Sequence, residues 1–262
     1  MTAQVICLAN FKGGVGKSTS AVNLAACLAR AGWKTLLVDC DPQANASEMF
    51  VKESDIAYDL RSIIADGVSI ETVIRTTRMA NLDVLPASFD LAILATELVV
   101  SANGVHRIER ALRPVMGDYD VLVLDTGPNL SHLTLGALVS SDHIIIPLSA
   151  TVWSTTGLRK FIRWLDENRA EEIFEAELLG LLATMVNSRT RIGRDVVEDM
   201  NRSPYPSFAT TIPKRIAAED AVVEGLVAGD PGVDQPFSNS YIAFADEVMV
   251  KLRHARKGAH RA

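Results

Sequence analysis

Short runs of apolar residues recur along the chain and are separated by segments whose apolar positions have helical spacing. The runs are continuously apolar, which is typical of strands that are buried on both faces of a sheet. Because these strands alternate with helices, the pattern predicts parallel β-α-β units. The predicted strands are Gln4–Asn10, Lys34–Asp39, Leu82–Pro86, Asp120–Asp125, His143–Pro147, Leu178–Asn187 and Phe208–Ile212.

Helices are predicted between these strands. The first one, Lys17–Ala31, has apolar residues along one face, and Gly32 favours its termination. The others are Tyr58–Ala65, Ile70–Arg75, two stretches between Leu91 and Val115, Thr155–Asn168, Arg191–Asn201, Arg215–Leu226 and Ser240–Ala255. The expected fold class is α/β, with one twisted, mostly parallel sheet that has helices on both faces. We expect one domain over residues 1–250 and a frayed basic tail over residues 251–262.

The composition is that of a globular protein with a large core. Hydrophobic residues make up 48% of the chain and charged residues 22%, which argues against disorder. The net charge of −6 means that any contact with nucleic acid must come from a local basic patch. Apolar runs stay below the roughly 18 residues of a membrane span, and no signal peptide is recognised. The three cysteines form no CxxC pair, so we expect buried thiols and a cytoplasmic location.

A glycine-rich segment, Lys12–Thr19 (KGGVGKST), lies between the first strand and the first helix. It is a variant of the phosphate-binding pattern GxxxxGK[ST], with Phe11 at the first glycine position. Glycines allow the backbone to curl so that successive amides point at phosphate oxygens, and the helix adds its positive end. The predicted nucleotide-binding residues of this loop are Gly13, Gly14, Val15, Gly16, Lys17, Ser18 and Thr19.

Three side chains of the loop have distinct predicted roles. Lys17 supplies a full charge to the β- and γ-phosphates, and the Ser18 hydroxyl is suited to ligating Mg²⁺. Thr19 is expected to contact the α-phosphate. The sequence therefore predicts a site for a nucleoside triphosphate and Mg²⁺ at the start of the first helix.

Aspartates follow two of the predicted strands. The second strand ends in VDCDPQ (Val38–Gln43), and the fourth ends at Asp125 in DVLVLDTGP (Asp120–Pro128). Ligands of parallel sheets bind beyond the carboxyl ends of strands, so these carboxylates are expected near the phosphate loop. An apolar strand that ends in an aspartate is typical of a Walker B segment, and Asp125 is predicted to hold Mg²⁺ through water.

The chain resembles the ParA family, the partition ATPases of the ParA/MinD superfamily with a deviant Walker A loop. The resemblance rests on KGGVGKST, on DCDPQ followed by small residues, and on TIPKRIAAE (Thr211–Glu219), and it runs from about Val5 to Leu252. It implies ATP and Mg²⁺ as cofactors. It also implies that Lys12 reaches the partner's ATP in a homodimer with sandwiched nucleotides, acting as a catalytic residue with Lys17 and Asp41.

The resemblance implies further roles for four residues around the nucleotide. Asp41 would orient the attacking water, and Asp39 would lie near the water shell of the metal. Asn187 and Pro213 would neighbour the adenine, since the chain lacks the N-K-x-D pattern of GTPases. Gly127 stands where the family usually has a proline. The chain starts directly at its first strand, so we expect the short type without a helix-turn-helix domain.

The function implied by the resemblance is a weak ATPase that segregates a plasmid, a chromosome or a protein assembly. ATP would drive dimerisation, the dimer would bind DNA of the nucleoid without sequence preference, and a ParB-like or other adaptor would stimulate hydrolysis and release. No membrane contact is expected. The candidate DNA-binding residues are Arg189, Arg191, Arg194, Lys214, Arg215, Lys251, Arg253 and Arg256.

Three alternatives use the same fold. A MinD-like membrane-associated positioning ATPase would need large apolar residues in a C-terminal amphipathic helix, and KLRHARKGAHRA has few. An iron–sulfur carrier would need cysteines at the dimer face, whereas Cys7, Cys27 and Cys40 fall on predicted core elements. A metabolic enzyme with the same phosphate loop is disfavoured only because the DPQ and LTLGAL segments resemble those of the partition ATPases.

Overall fold

The structure is a computed structural model, and it describes residues 2–101, 103–150, 155–215, 221 and 224–259, with the side chains of 155 and 256–259 excepted. Within these residues one sheet of eight strands runs in the order β3-β4-β2-β5-β1-β6-β7-β8. All neighbouring strands pair in parallel except β3 and β4. The strands are β1 Gln4–Leu8, β2 Thr35–Cys40, β3 Arg75–Thr76, β4 Leu82–Leu85, β5 Val121–Thr126, β6 His143–Ser149, β7 Glu177–Val186 and β8 Ser207–Pro213.

Helices cover both faces of this sheet. They are α1 Lys17–Arg30, α2 Asn45–Glu48, α3 Leu60–Asp66, α4 Ile70–Val73, α5 Leu91–Val100, α6 Arg107–Leu112, α7 His132–Val139, α8 Thr155–Ala170, α9 Arg191–Asn201 and α10 Gln235–Ala259. Short 3-10 turns occur at Glu53–Asp55, Gly104–His106 and Arg113–Val115. The predicted α/β fold class is therefore confirmed.

The hydrophobic core has two parts, one on each face of the sheet. Successive residues of β1 alternate between them, because side chains of a strand point to opposite faces. Val5 and Cys7 pack with the side that carries α5 and α7, whereas Ile6 and Leu8 pack with the side that carries α1 and α10. The burial of both sets explains why the strand sequences are continuously apolar.

Several boundaries differ from the sequence-based prediction. Arg75 was predicted to end a helix, but α4 ends at Val73 and Arg75 begins the antiparallel edge strand β3. The last helix was predicted over Ser240–Ala255, whereas α10 runs from Gln235 to Ala259, with buried Val248 and Leu252 on its apolar face. Most of the helix predicted over Arg215–Leu226 lies outside the described residues.

Candidate functional site

The phosphate loop connects the end of β1 to the start of α1. Gly14 and Gly16 have φ values of 67° and 79°, in the left-handed region that glycine adopts without a steric penalty. The Val15 carbonyl between them accepts a hydrogen bond of 2.8 Å from the Thr184 hydroxyl, which fastens the loop to β7. The sequence analysis predicted that the glycines let the backbone curl here. The positive φ values of Gly14 and Gly16 agree with that prediction.

A cleft of about 380 Å³ opens over the start of α1. The first backbone amides of a helix have no partner within the helix, and they carry its positive end. At this helix the residue before the first turn is Gly16, which has no side chain to cap those amides. The cleft is lined by Gly13, Gly14, Gly16, Lys17, Ser18, Thr19, Val22, Asn23, Asp41, Gln43, Asn45, Met49, Pro128 and Met185. Its size and its amides suit a phosphate-bearing small molecule.

Lys17 is buried at the base of this cleft, with 6% of its surface exposed. Its ammonium donates a hydrogen bond of 3.1 Å to the Lys12 carbonyl. Burial lowers the pKa of Lys17 below its ordinary value, whereas the nearby carboxylates of Asp125 and Asp41 act in the opposite direction. A bound anion would stabilise this buried charge further.

Asp125 is the next-to-last residue of β5, and its carboxylate is fully buried. Neither carboxylate oxygen has a hydrogen-bond partner of ordinary length among the described residues. Burial raises the pKa of Asp125 well above its ordinary value and neighbouring Asp39 raises it further, while Ser18 and Lys17 lower it. A buried carboxylate without a partner, beside a hydroxyl, fits a hard cation such as Mg²⁺ that is held through water.

The described residues contain no cluster of three or more His, Cys, Asp or Glu side chains that could hold a metal by themselves. A Mg²⁺ ion at Ser18 and Asp125 is compatible with this, because Mg²⁺ usually keeps several waters and takes few protein ligands. The remaining oxygens would come from water and phosphate. The metal role of these two residues stays a prediction.

Asp39 lies beside Asp125, as its partner in the pairing of β2 with β5. It is fully buried, and it accepts hydrogen bonds from the Asp41 amide at 3.0 Å, the Ser47 amide at 2.8 Å and the Ser47 hydroxyl at 2.7 Å. Burial raises the pKa of Asp39 to about 6, against the effect of these hydrogen bonds. The Asp39 carboxylate is thus hydrogen-bonded by the segment that carries Asp41 and Ser47. Its place near the water shell of a metal stays a prediction.

Asp41 follows β2 and lines the cleft, with 6% of its surface exposed. Its carboxylate accepts a hydrogen bond of 3.0 Å from the Gln43 amide. On its other side it lies against Gly127, where the sequence departs from the family pattern. The cleft therefore brings together Lys17, Asp41 and Pro128, which lies just beyond the end of β5, as the strand-end rule predicts.

Lys12 stands at the outer rim of the loop. Its amide donates a hydrogen bond of 3.1 Å to the Asn10 side chain, which in turn donates one of 2.7 Å to the Pro147 carbonyl. Phe11 packs against Phe161 of α8, with ring centroids 4.1 Å apart. The backbone at Lys12 is thus fixed, while its side chain is half-buried beside a second, smaller cavity of about 210 Å³.

Asn187 and Pro213, the predicted neighbours of the base, do not line the cleft. They lie at the ends of β7 and β8, where Val186 pairs with Pro213. Met185 contributes to the cleft instead, in a strand position with a φ of 53°. Sequence reasoning missed Met185, as well as Asn23, Gln43, Asn45 and Met49. Three of these had a detectable signal: Asn23 follows Thr19 by four residues and so shares its face of α1, and Gln43 and Asn45 belong to or follow the DCDPQ motif.

Five of the candidate DNA-binding residues come together at the ends of β7 and β8. The Lys214 amide donates a hydrogen bond to the Val186 carbonyl, which brings the two loops side by side. These five exposed residues are Arg189, Arg191, Arg194, Lys214 and Arg215. Arg191 pairs with Asp195 at 3.4 Å and Arg215 with Asp234 at 3.3 Å, so part of their charge is compensated.

The candidates on α10 are separate from this group. The Lys251 ammonium lies 5.2 Å from the centre of the Phe208 ring, which is a cation–π distance. Arg253 is exposed, and the side chain of Arg256 lies outside the described residues. None of the described helices is long and apolar enough to span a lipid bilayer.

Known proteins are similar to this chain over most of its length. A family model described as AAA domain matches residues 3–176. The chain is 34% identical to the sporulation initiation inhibitor protein Soj of Bacillus subtilis, over 87% of this chain and 92% of that protein. It is also 34% identical to the chromosome partitioning protein ParA of Myxococcus xanthus, over 94% of this chain and 88% of that protein.

Two solved structures are similar over almost the full chain. Cobyrinic acid a,c-diamide synthase of Mycobacterium smegmatis, with bound ATP analog and magnesium, has a TM-score of 0.85 at 29% identity and covers 98% of this chain and 96% of its own. A putative plasmid partition protein of Borrelia burgdorferi, bound to AMPPNP, has a TM-score of 0.81 at 25% identity, with 95% and 99% covered.

Proposed function

Because this chain belongs to the ParA family of partition ATPases, we propose that it is an ATP-driven switch that dimerises on ATP, binds DNA without sequence preference and leaves it after hydrolysis. The chain is an ATP hydrolase of the Soj/ParA type that uses ATP and Mg²⁺. The observation that carries the proposal is the cleft over the start of α1, which Lys17 and Asp41 line, with the buried Asp125 carboxylate near enough to Lys17 to affect its pKa.

In the proposed nucleotide binding, each group in or near this cleft has a separate role. The amides at the start of α1 and the Lys17 ammonium bind the phosphates, and Ser18 and Asp125 hold Mg²⁺. When bound, Mg²⁺ neutralises charge that develops on the phosphate oxygens. Asp41 orients the attacking water through its carboxylate, which the Gln43 amide holds at 3.0 Å.

The dimer part rests on Lys12. Its amide is held by Asn10 and its carbonyl by Lys17, so the backbone from which the side chain leaves is fixed. A lysine at the outer rim of a phosphate loop is well placed to reach the nucleotide of a second copy. Its contribution would resemble that of an arginine finger supplied in trans.

The DNA part rests on the basic group at the ends of β7 and β8. The acidic net charge of −6 makes binding by the whole surface unfavourable, so the local group has to supply the contacts. A monomer with these few charges would bind weakly. A dimer joins two such groups, which raises the effective concentration of the second contact, so ATP can switch DNA binding on. We place the protein on the nucleoid in the cytoplasm, released by a ParB-like or other adaptor that stimulates hydrolysis.

A gel shift on unrelated DNA duplexes tests this function, with ATP, with ADP and without nucleotide. We expect binding only with ATP and without sequence preference. If a dimer neutralises about six phosphates, affinity falls by a factor on the order of 10³ between 50 and 200 mM salt. The double variant Lys214→Ala plus Arg215→Ala should bind markedly less.

The matched control is Arg110→Ala plus Arg113→Ala, which removes the same charge from exposed positions near α6. It should bind DNA as the unmodified protein does. If binding is absent with ATP at low salt while vesicles of anionic lipid pellet the protein with ATP, the DNA proposal is wrong and the membrane class is supported. Equal losses in both double variants would indicate that only net charge matters.

A further inference from the structure

In the loop that follows β5, a side chain at Gly127 would make tight contacts with the Asp41 carboxylate. A Cβ atom built on this glycine would lie 3.2 Å from Oδ1 and 3.3 Å from Cγ of Asp41. Such distances are shorter than ordinary van der Waals contacts, so either the side chain or the carboxylate would have to move. The carboxylate of Asp41 thus occupies space that a side chain at Gly127 would need.

The backbone of Gly127 does not itself require glycine. Its φ lies outside the left-handed region, in contrast to Gly14 and Gly16 of the phosphate loop. The three nearest heavy atoms that a Cβ at Gly127 would meet all belong to Asp41. In this chain a side chain at Gly127 would therefore be limited by the Asp41 carboxylate and not by the turn.

Asp41 has little freedom to move away. Its amide donates to Asp39, its carboxylate accepts from the Gln43 amide, and 6% of the residue is exposed. Asp39 is fixed in turn by the Ser47 amide and hydroxyl. A displacement of the carboxylate would therefore weaken the hydrogen bond from Gln43 or push the group into the cleft.

We propose that Gly127 is a positioning residue for hydrolysis, which sets the place of the Asp41 carboxylate relative to the bound nucleotide. The next residue extends this arrangement, since a Cβ at Gly13 would lie 3.7 Å from Cβ of Pro128. Pro128 thus lies next to the phosphate loop while Gly127 lies next to the Asp41 carboxylate. The inference rests on the proposed role of Asp41 in hydrolysis.

The test compares Gly127→Ala with Gly117→Ala in the full chain. Gly117 is exposed, lies outside the left-handed region, and a Cβ there would meet nothing within 4 Å. For Gly127→Ala we expect kcat for basal ATP hydrolysis to fall roughly fivefold or more, because small misplacements of catalytic groups reduce rates. The Kd for a non-hydrolysable ATP analogue and the Tm should change little. Gly117→Ala should leave all three quantities unchanged.

A second measurement asks whether Gly127 acts through Asp41. In an Asp41→Asn background, single-turnover hydrolysis of radiolabelled ATP should fall less than twofold when Gly127→Ala is added. A basal kcat in Gly127→Ala that stays within twofold of the unmodified protein, or rises, would overturn the inference. An equal fold-loss in both backgrounds would do the same. If Asp41→Asn alone hydrolyses ATP normally, the proposed role of Asp41 fails, which is a different outcome.

Discussion

The buried ammonium of Lys17 donates a hydrogen bond of 3.1 Å to the carbonyl of Lys12, so the two lysines of the phosphate loop are linked through the backbone. Lys17 thereby holds the loop in shape as well as facing the cleft. Lys12 leaves the loop at its rim, where it is half-buried. In the proposed dimer, Lys17 would bind the nucleotide of its own copy and Lys12 that of the second copy.

Lys17→Ala should abolish ATP binding, because it removes the buried charge that faces the phosphates and the bond that shapes the loop. We expect affinity for a fluorescent ATP analogue with Mg²⁺ to fall roughly 100-fold or more. Lys52→Ala, at an exposed position, is the control and should bind normally. Unchanged affinity in Lys17→Ala would mean that this loop does not bind the phosphates.

Asp41→Ala should bind ATP and dimerise but turn over slowly. The carboxylate orients water and is not needed to hold the phosphates, so kcat should fall by roughly 10² or more while affinity stays similar. Size-exclusion chromatography with ATP should show a persistent dimer. Asp199→Ala removes an exposed carboxylate and should hydrolyse ATP at the normal rate. Normal turnover in Asp41→Ala would remove this residue from the mechanism.

Gly13→Val should prevent the ATP-dependent dimer and spare nucleotide binding. Within the chain a Cβ at Gly13 makes only an ordinary contact, 3.7 Å from Cβ of Pro128, so the loop itself accommodates a side chain. The added bulk would instead meet a second copy at closest approach. Analytical ultracentrifugation with ATP measures the dimer, and Gly117→Val is the control. A Gly13→Val protein that still dimerises would contradict the trans role of Lys12.

Asp230→Asn should destabilise the fold near neutral pH. The Asp230 carboxylate accepts hydrogen bonds from the Arg30 and Arg78 guanidinium groups and the Val227 amide. Burial raises its pKa, but these hydrogen bonds outweigh burial and hold the pKa below its ordinary value. We expect a loss of about 2 kcal/mol in the free energy of unfolding at pH 7, measured with urea.

The pH dependence of that loss has a defined sign. A carboxyl whose pKa is lowered in the folded state stabilises the fold above its unfolded pKa of about 3.9, and loses this contribution as pH falls through the folded pKa. The difference between Asp230→Asn and the unmodified protein should therefore shrink as the pH falls below about 4. Asp199→Asn should show no such difference. A gap that stays constant down to pH 2 would indicate that the charge of Asp230 is not involved.

The sequence predicted most strands and helices and the candidate phosphate loop. Most strands begin and end within about two residues of the predicted bounds, and α9 has the predicted bounds, Arg191–Asn201. Two features of the fold depend on local sequence and could therefore be predicted from it. Strands buried on both faces need continuously apolar residues, and an amide-lined turn needs glycine. The edge strand at Arg75–Thr76 was missed because two residues carry no periodicity.

Only the tertiary structure decided how the strand ends meet. The pairing of β2 with β5 sets Asp39 beside Asp125. Among the described residues the Asp125 carboxylate has no hydrogen-bond partner of ordinary length, whereas Asp39 accepts a hydrogen bond from the Asp41 amide. The closeness of Gly127 to Asp41 depends on the paths of two loops far apart in sequence. Such contacts arise from packing across the sheet, and a pattern read along one strand contains no information about the distance to the next.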